Sequence, residues 1–263
     1  MNIKRLVIAL ILVPVLYAYV MYLPPEYFLF LLTFFSTIGL AEFYVMYRIK
    51  GPLMYSGLFW GAAMLIAFFT VPDLFLHVLL AAALATMALR LFLKREPAGS
   101  ISSVSAAVFG LLYVPCLMTF QLSLVKEGAV WIVLLYASVW AADSMAYYVG
   151  KSIGKRKLYP EISPNKTVAG AVGSLIGGVV GAALIKAILL NHISPLQTGI
   201  IGLSVGFSTM IGDLVESMFK RDAGVKDSSH IVPGHGGVLD KLDGVTFAGP
   251  VFYWVCLILG LVH

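Results

Sequence analysis

Apolar residues recur along this chain in long unbroken runs rather than at helical or strand spacing. Nine runs approach or reach the roughly 20 residues that a helix needs to cross a bilayer. They cover 6–23, 27–47, 53–72, 74–93, 101–122, 128–149, 168–190, 197–219 and 246–262. The breaks between them are turn-formers: Pro24-Pro25, Gly51-Pro52, Pro72-Asp73, Pro97-Ala98-Gly99 and Ser194-Pro195. The pattern predicts an all-α polytopic membrane protein with about nine transmembrane helices. The first run follows Lys4 and Arg5 but leads into Pro24, Pro25 and Glu26 without a small-x-small site. It is therefore expected to be a retained helix and not a cleaved leader.

The composition agrees. Of 263 residues, 60% are hydrophobic and 12% charged, against about 25% charged in soluble domains. This excludes an ordinary soluble domain and a disordered chain. Cys116 and Cys256 lie singly within apolar runs and suggest packing, not a disulfide framework or a thiolate metal site. The net charge of +5 is ordinary for basic cytoplasmic loops and gives no reason to expect nucleic acid as a partner.

The basic residues also fix an orientation. With the N-terminus in the cytoplasm, all but Lys126 and Lys186 of the 18 Lys and Arg residues fall on the inner side. The prediction is N-terminus inside and C-terminus outside. Two inner loops, 150–167 and 220–245, collect most of the polar residues. The chain divides accordingly into N-terminal membrane helices (1–125) and a C-terminal catalytic region (126–263).

Acids at membrane depth need a reason to be there. Glu42, near the inner end of the second run, is expected to pair with Arg48 or Arg90. Asp213, Glu216, Ser217 and Lys220 share one helix face. Asp240 and Asp243 repeat the i, i+3 spacing, and Asp143 lies within the sixth run. Neighbouring carboxylates repel unless a cation lies between them. An oxygen-only set suits Mg²⁺ or Mn²⁺, which commonly also binds substrate phosphate. Lys220, Arg221, Lys226 and Lys241 supply positive charge nearby, and Gly234, Gly236 and Gly237 surround His235. Acids, bases and glycines together suit metal-assisted phosphoryl or nucleotidyl transfer. The glycines Gly173, Gly177 and Gly181, with Gly202 and Gly206, are expected to pack helices closely. The alternative is an ion-coupled secondary transporter using its intramembrane carboxylates. That reading predicts polar residues near the midplane and repeat symmetry, whereas here the polar residues gather at one face.

The segment Ser217–Asp243 resembles the signature of the CDP-diacylglycerol synthase (phosphatidate cytidylyltransferase) family. The matching positions are Ser217, Lys220, Arg221, Lys226, Asp227, Ser229, Pro233, His235, Gly236, Gly237, Asp240 and Asp243. A second block is similar: Asp143-Ser144-Met145-Ala146-Tyr147 through Gly150-Lys151 and Gly154-Lys155, then Ile162-Ser163-Pro164-Asn165-Lys166-Thr167. The first five runs match only as a hydrophobic pattern. Lys241 stands where the family has Arg, losing the bidentate fork, and Ala169 where it usually has Glu.

The resemblance implies transfer of CMP from CTP to phosphatidic acid at the inner membrane of a bacterial cell. It implies roles for Asp213, Asp240 and Asp243 in holding two divalent ions, Mg²⁺ or Mn²⁺. Asp143, Lys166, Lys220, Arg221, Lys226 and His235 would carry the chemistry; Ser217, Ser229, Gly236, Gly237 and Lys241 would bind substrate. CTP, phosphatidic acid and the bilayer are the implied partners, and a homodimer is compatible with the sequence.

Overall fold

The computed structural model describes residues 14–229 and 236–263. The first part of the predicted first span, 6–13, therefore lies outside the described residues, and residues 14–22 are helical. His235 also lies outside them.

The described chain is helical almost throughout. α1 is Pro25–Met46, α2 Pro52–Thr70 and α3 Phe75–Leu93. α4 (Ser100–Leu111) and α5 (Leu117–Glu127) form one span joined by a π-helical turn, Leu112–Cys116. α6 is Ala129–Ile153, α7 Val168–Leu189, α8 Pro195–Asp222 and α9 Leu239–Ile258. Among the described residues, eight spans are long and apolar enough to cross a membrane. Large side chains such as Phe30, Phe92 and Ile258 point outward, as expected where lipid is the solvent and helices have no polar outer face.

The helix starts follow local chemistry. Pro25, Pro52 and Pro195 occupy first turns, where a missing N–H costs nothing. Ser194 and Gln197 form a reciprocal capping box at α8, with bonds of 3.2 and 2.9 Å. Thr167 Oγ1 accepts from Gly170 N at 3.1 Å and caps α7.

Two predicted boundaries change. The last span begins at Leu239, seven residues before the predicted 246, so Asp240 and Asp243 lie in its first two turns. The 150–167 loop contains a hairpin: β1 (Lys157–Tyr159) pairs antiparallel with β2 (Ser163–Thr167), Lys157 opposite Thr167. The cysteines are free, Cys256 buried and Cys116 half-buried.

α6, α7 and α8 pack backbone to backbone. A Cβ on Gly181 would lie 2.7 Å from Ala137 O, and one on Gly173 2.8 Å from Met145 O, both in α6. On the other face of α7, a Cβ on Gly178 would collide with Gly202 O of α8, and one on Gly206 with Ser174 O. The glycines thus permit contacts that any side chain would forbid. One end of the bundle gathers the C-termini of α1, α6 and α8 with the N-termini of α7 and α9. Tyr47, just after α1, donates to Asp222 Oδ2 of α8 at 3.0 Å, and Gly150 lies against Gly170. Every predicted site residue within the described chain lies at this end.

Candidate active site

The site has an open side and a buried side, both built around α8. On the open side, Lys166 from β2 reaches across to α8 and pairs with Asp213, Nζ to Oδ2 2.7 Å. Ser217, one turn further along, lies 3.5 Å from the other Asp213 oxygen. Asp143, in the C-terminal half of α6, is exposed. It lies within electrostatic reach of Asp213, Asp243, Lys166 and Lys241. Lys241 is exposed on the first turn of α9.

On the buried side, Lys220 (9% exposed) bridges two acids. Its Nζ lies 3.0 Å from Glu216 Oε2 and 2.6 Å from Asp240 Oδ1. The second Asp240 oxygen accepts from Gly237 N at 2.6 Å, Ser228 Oγ at 2.9 Å and Ser228 N at 3.1 Å. Both oxygens of Asp240 are therefore engaged within the protein. Asp243, one turn on, accepts from Gly244 N at 2.8 Å, and its carboxyl meets that of Glu216 within hydrogen-bond reach. Glu216 Oε1 is buried with no donor among the described residues.

Glu42 corrects the sequence reading. It pairs with neither Arg48 nor Arg90. Arg90 instead donates to Ser103 Oγ and to the carbonyls of Lys94, Glu96 and Ala98, tying down the linker from α3 to α4. Glu42 is 3% exposed and accepts four bonds from the far end of the chain. Ser229 Oγ lies 2.5 Å and Val238 N 3.0 Å from Oε1; Leu239 N lies 2.7 Å and Ser228 Oγ 3.1 Å from Oε2. α9 has no cap of its own. Its opening amides are orphan donors with positive partial charge, and a carboxylate is their natural partner. Glu42 is thus a cap supplied by α1 to α9. An acid near the inner end of a span was visible in the sequence, but its partners lie up to 197 positions away. Ser228, which holds both Glu42 and Asp240, was missed for the same reason.

The remaining predicted residues are dispersed. Arg221 donates to Ile162 O at 3.2 Å and Val225 O at 3.0 Å, fastening the hairpin to α8. Lys226 is exposed. Gly236 adopts φ +83°, and a Cβ there would approach Asp240 Oδ2 at 2.5 Å. Gly237 has no room either, since a Cβ would collide with Ser228 Oγ and lie 2.5 Å from Glu42 Oε2. These two glycines are where backbone alone fits against the carboxylates.

Among the described residues, no three His, Cys, Asp or Glu side chains lie together as a group that could hold a metal ion. The oxygen donors within electrostatic reach of one another are those of Asp143, Asp213 and Asp243, with Glu216 beside Asp243. Two carboxyls meeting without a donor, as Glu216 and Asp243 do, call for a proton or a cation between them. An open oxygen set suits a small hard cation that keeps waters and takes further ligands from phosphate.

Comparison with known proteins bears on the family to which the chain belongs. The chain is 35% identical over 235 residues to YnbB of Escherichia coli K12, described as uncharacterized, covering 85% of this chain and 78% of that protein. It is 43% identical over 130 residues to the phosphatidate cytidylyltransferase of Bacillus subtilis 168, covering 49% and 48% of the two chains. It is 46% identical over 135 residues to that of Haemophilus influenzae Rd, covering 48% and 45%. The similarity thus spans about half the length of these two named enzymes. The pattern of the Cytidylyltransferase family matches residues 3–259, nearly the whole chain, and the protein belongs to that family.

Proposed function

We propose that the protein transfers CMP from CTP to phosphatidic acid, giving CDP-diacylglycerol and pyrophosphate, at the cytoplasmic face of a bacterial inner membrane. The observation that carries this reading is the Lys166–Asp213 ion pair, with Asp143, Asp243 and Lys241 in electrostatic reach, at the polar end of the bundle. The names of the relatives in Bacillus and Haemophilus support the substrates.

A phosphate monoester oxygen of phosphatidate attacks the α-phosphorus of CTP. The bond from that phosphorus to the bridging β-oxygen breaks, and pyrophosphate leaves. The attacking oxygen is already anionic at neutral pH, so no strong base is required. The difficulty is bringing two polyanions together. Lys166 and Lys241, with Lys226 of the 220–245 loop, would offset that charge where it develops. Lys220 and Ser228 hold Asp240 in place, and Glu42 fixes the start of α9 that carries Asp240 and Asp243.

A divalent cation, magnesium or manganese, would be held by the oxygens of Asp213 and Asp243, with Asp143 in electrostatic reach and Asp240 already engaged by Lys220 and Ser228. When bound, it supplies positive charge to the phosphate oxygens. A two-ion arrangement is the fuller form of this proposal.

The test uses purified protein in detergent, phosphatidate, Mg²⁺ and CTP labelled on the α-phosphate. Label is expected in the extracted lipid, dependent on phosphatidate and on cation, and lost in Asp243→Asn. No transfer by wild-type protein, or full transfer by Asp213→Asn and Asp243→Asn, would overturn the reading.

A further inference from the structure

The fourth described span contains the bundle's one π-helical turn among the described residues, Leu112–Cys116, with Pro115 inside it. Proline removes a backbone donor and crowds the preceding turn, and a π-turn accommodates that by widening the helix. Such turns often occur at functional sites. This one places Tyr113 against α8. The Tyr113 ring is 5.2 Å from that of Phe219, centroid to centroid, 5.9 Å from Phe43 and 6.0 Å from Phe109. Phe219 sits between Glu216 and Lys220. The next residue, Val114, meets the same open position at Gly39 as Leu239 and Leu242 of α9. The turn therefore lies where α1, α8 and α9 come together.

Tyr113 is 4% exposed, and its hydroxyl has no hydrogen-bond partner among the described residues. A buried hydroxyl without a partner is costly, and such groups are few in native proteins. The ring contacts would be as well served by phenylalanine. The carboxylates of Glu216, Asp243 and Asp213 lie within electrostatic reach of the hydroxyl, and Glu216 Oε1 is itself a buried acceptor with no donor among the described residues.

We infer that Tyr113 is a positioning residue: its hydroxyl is the donor held in reserve for the Glu216–Asp243 carboxyl pair and orients that pair when a divalent cation enters. The inference rests on the cation-assisted reading above. It assigns a role in the site to the fourth described span, whose sequence carries no charged residue near this level. Tyr113 does not touch the reacting phosphates. It acts through Asp243 and through Glu216, which in turn bears on Lys220.

Tyr113→Phe removes one oxygen and keeps the ring. Without cation, its melting temperature in detergent is expected to equal or exceed that of wild type, because an unpartnered hydroxyl is gone. The Mg²⁺ concentration giving half of the cation-induced melting shift should rise roughly tenfold, the scale of one hydrogen bond to a charged group. kcat should fall by a similar factor with KM for CTP unchanged. Tyr113→Leu is the packing control and should melt lower than wild type. An Mg²⁺ midpoint and kcat equal to wild type in Tyr113→Phe overturn the inference. The melting shift is read without CTP or lipid. It therefore reports on Tyr113 even if wild-type protein transfers no label, which would count against the proposed reaction alone. A wild-type protein that Mg²⁺ does not stabilise removes the cation and this role together.

Discussion

Replacing Glu42 by glutamine changes one oxygen to an amide and leaves volume nearly constant. The structure makes this small change severe. Oε1 accepts from Val238 N and Oε2 from Leu239 N. Whichever way the glutamine amide turns, its NH₂ faces one of those backbone donors. One amide of α9 is then buried without an acceptor, at about 1–3 kcal/mol. The favourable placement of a negative charge at a helix N-terminus is lost as well, about 0.3–1 kcal/mol and more when partly buried. The sum is about 2–4 kcal/mol, which for a chain of this size corresponds to a fall of about 5–10 °C in melting temperature. Thermal unfolding in detergent, followed by tryptophan fluorescence, measures this directly. Glu42→Asp keeps the charge and should fall less. If Glu42→Gln melts within about 1 °C of wild type, the cap is not what holds the start of α9.

Lys220→Met should be more damaging than its exposure suggests, because Glu216 and Asp240 are left facing each other's charge; removing one partner of a buried pair costs about 3–5 kcal/mol. A melting temperature unchanged in Lys220→Met, with only KM for CTP raised, would show that Lys220 serves substrate and not the protein. Gly237→Ala should lose at least about tenfold in label transfer, since its Cβ displaces Ser228 from between Glu42 and Asp240; activity near wild type would mean the loop relaxes freely. Lys241→Arg should raise turnover, because Lys241 is exposed on the first turn of α9 and a guanidinium grips phosphate with two bonds. No gain removes the argument that lysine is the weaker residue there.

The spans were legible in the sequence because a membrane helix must bury its own backbone polarity in an apolar run, whatever its neighbours. The start of α9 was not. Leu239-Asp240-Lys241-Leu242-Asp243 reads as a polar loop, and only Glu42 and Lys220, from other helices, make it a helix. The set of acids and bases at one end was legible because charge is scarce enough for each one to stand out. The pairings were not, since hydrogen bonds between α1 and α9, or β2 and α8, leave no mark on local spacing. Tyr113 was hidden for a different reason. A tyrosine two positions before a proline within an apolar run reads as packing until its hydroxyl is seen to have no partner.

The glycine crossings bear on how a lipid could reach the site. Where Gly178 meets Gly202 and Gly206, and Gly181 meets Ala137, main chains touch with nothing compressible between them. Rotamer changes cannot widen such a seam; only separating whole helices would. α6, α7 and α8 therefore move as one plate. A passage for a headgroup drawn sideways from the bilayer has to open along seams filled by side chains, as where Gly249 of α9 faces Gln121 of α5. Lateral access is thus set by the flexible seams around the plate, and the plate itself keeps Asp143 and Asp213 in register while substrates come and go.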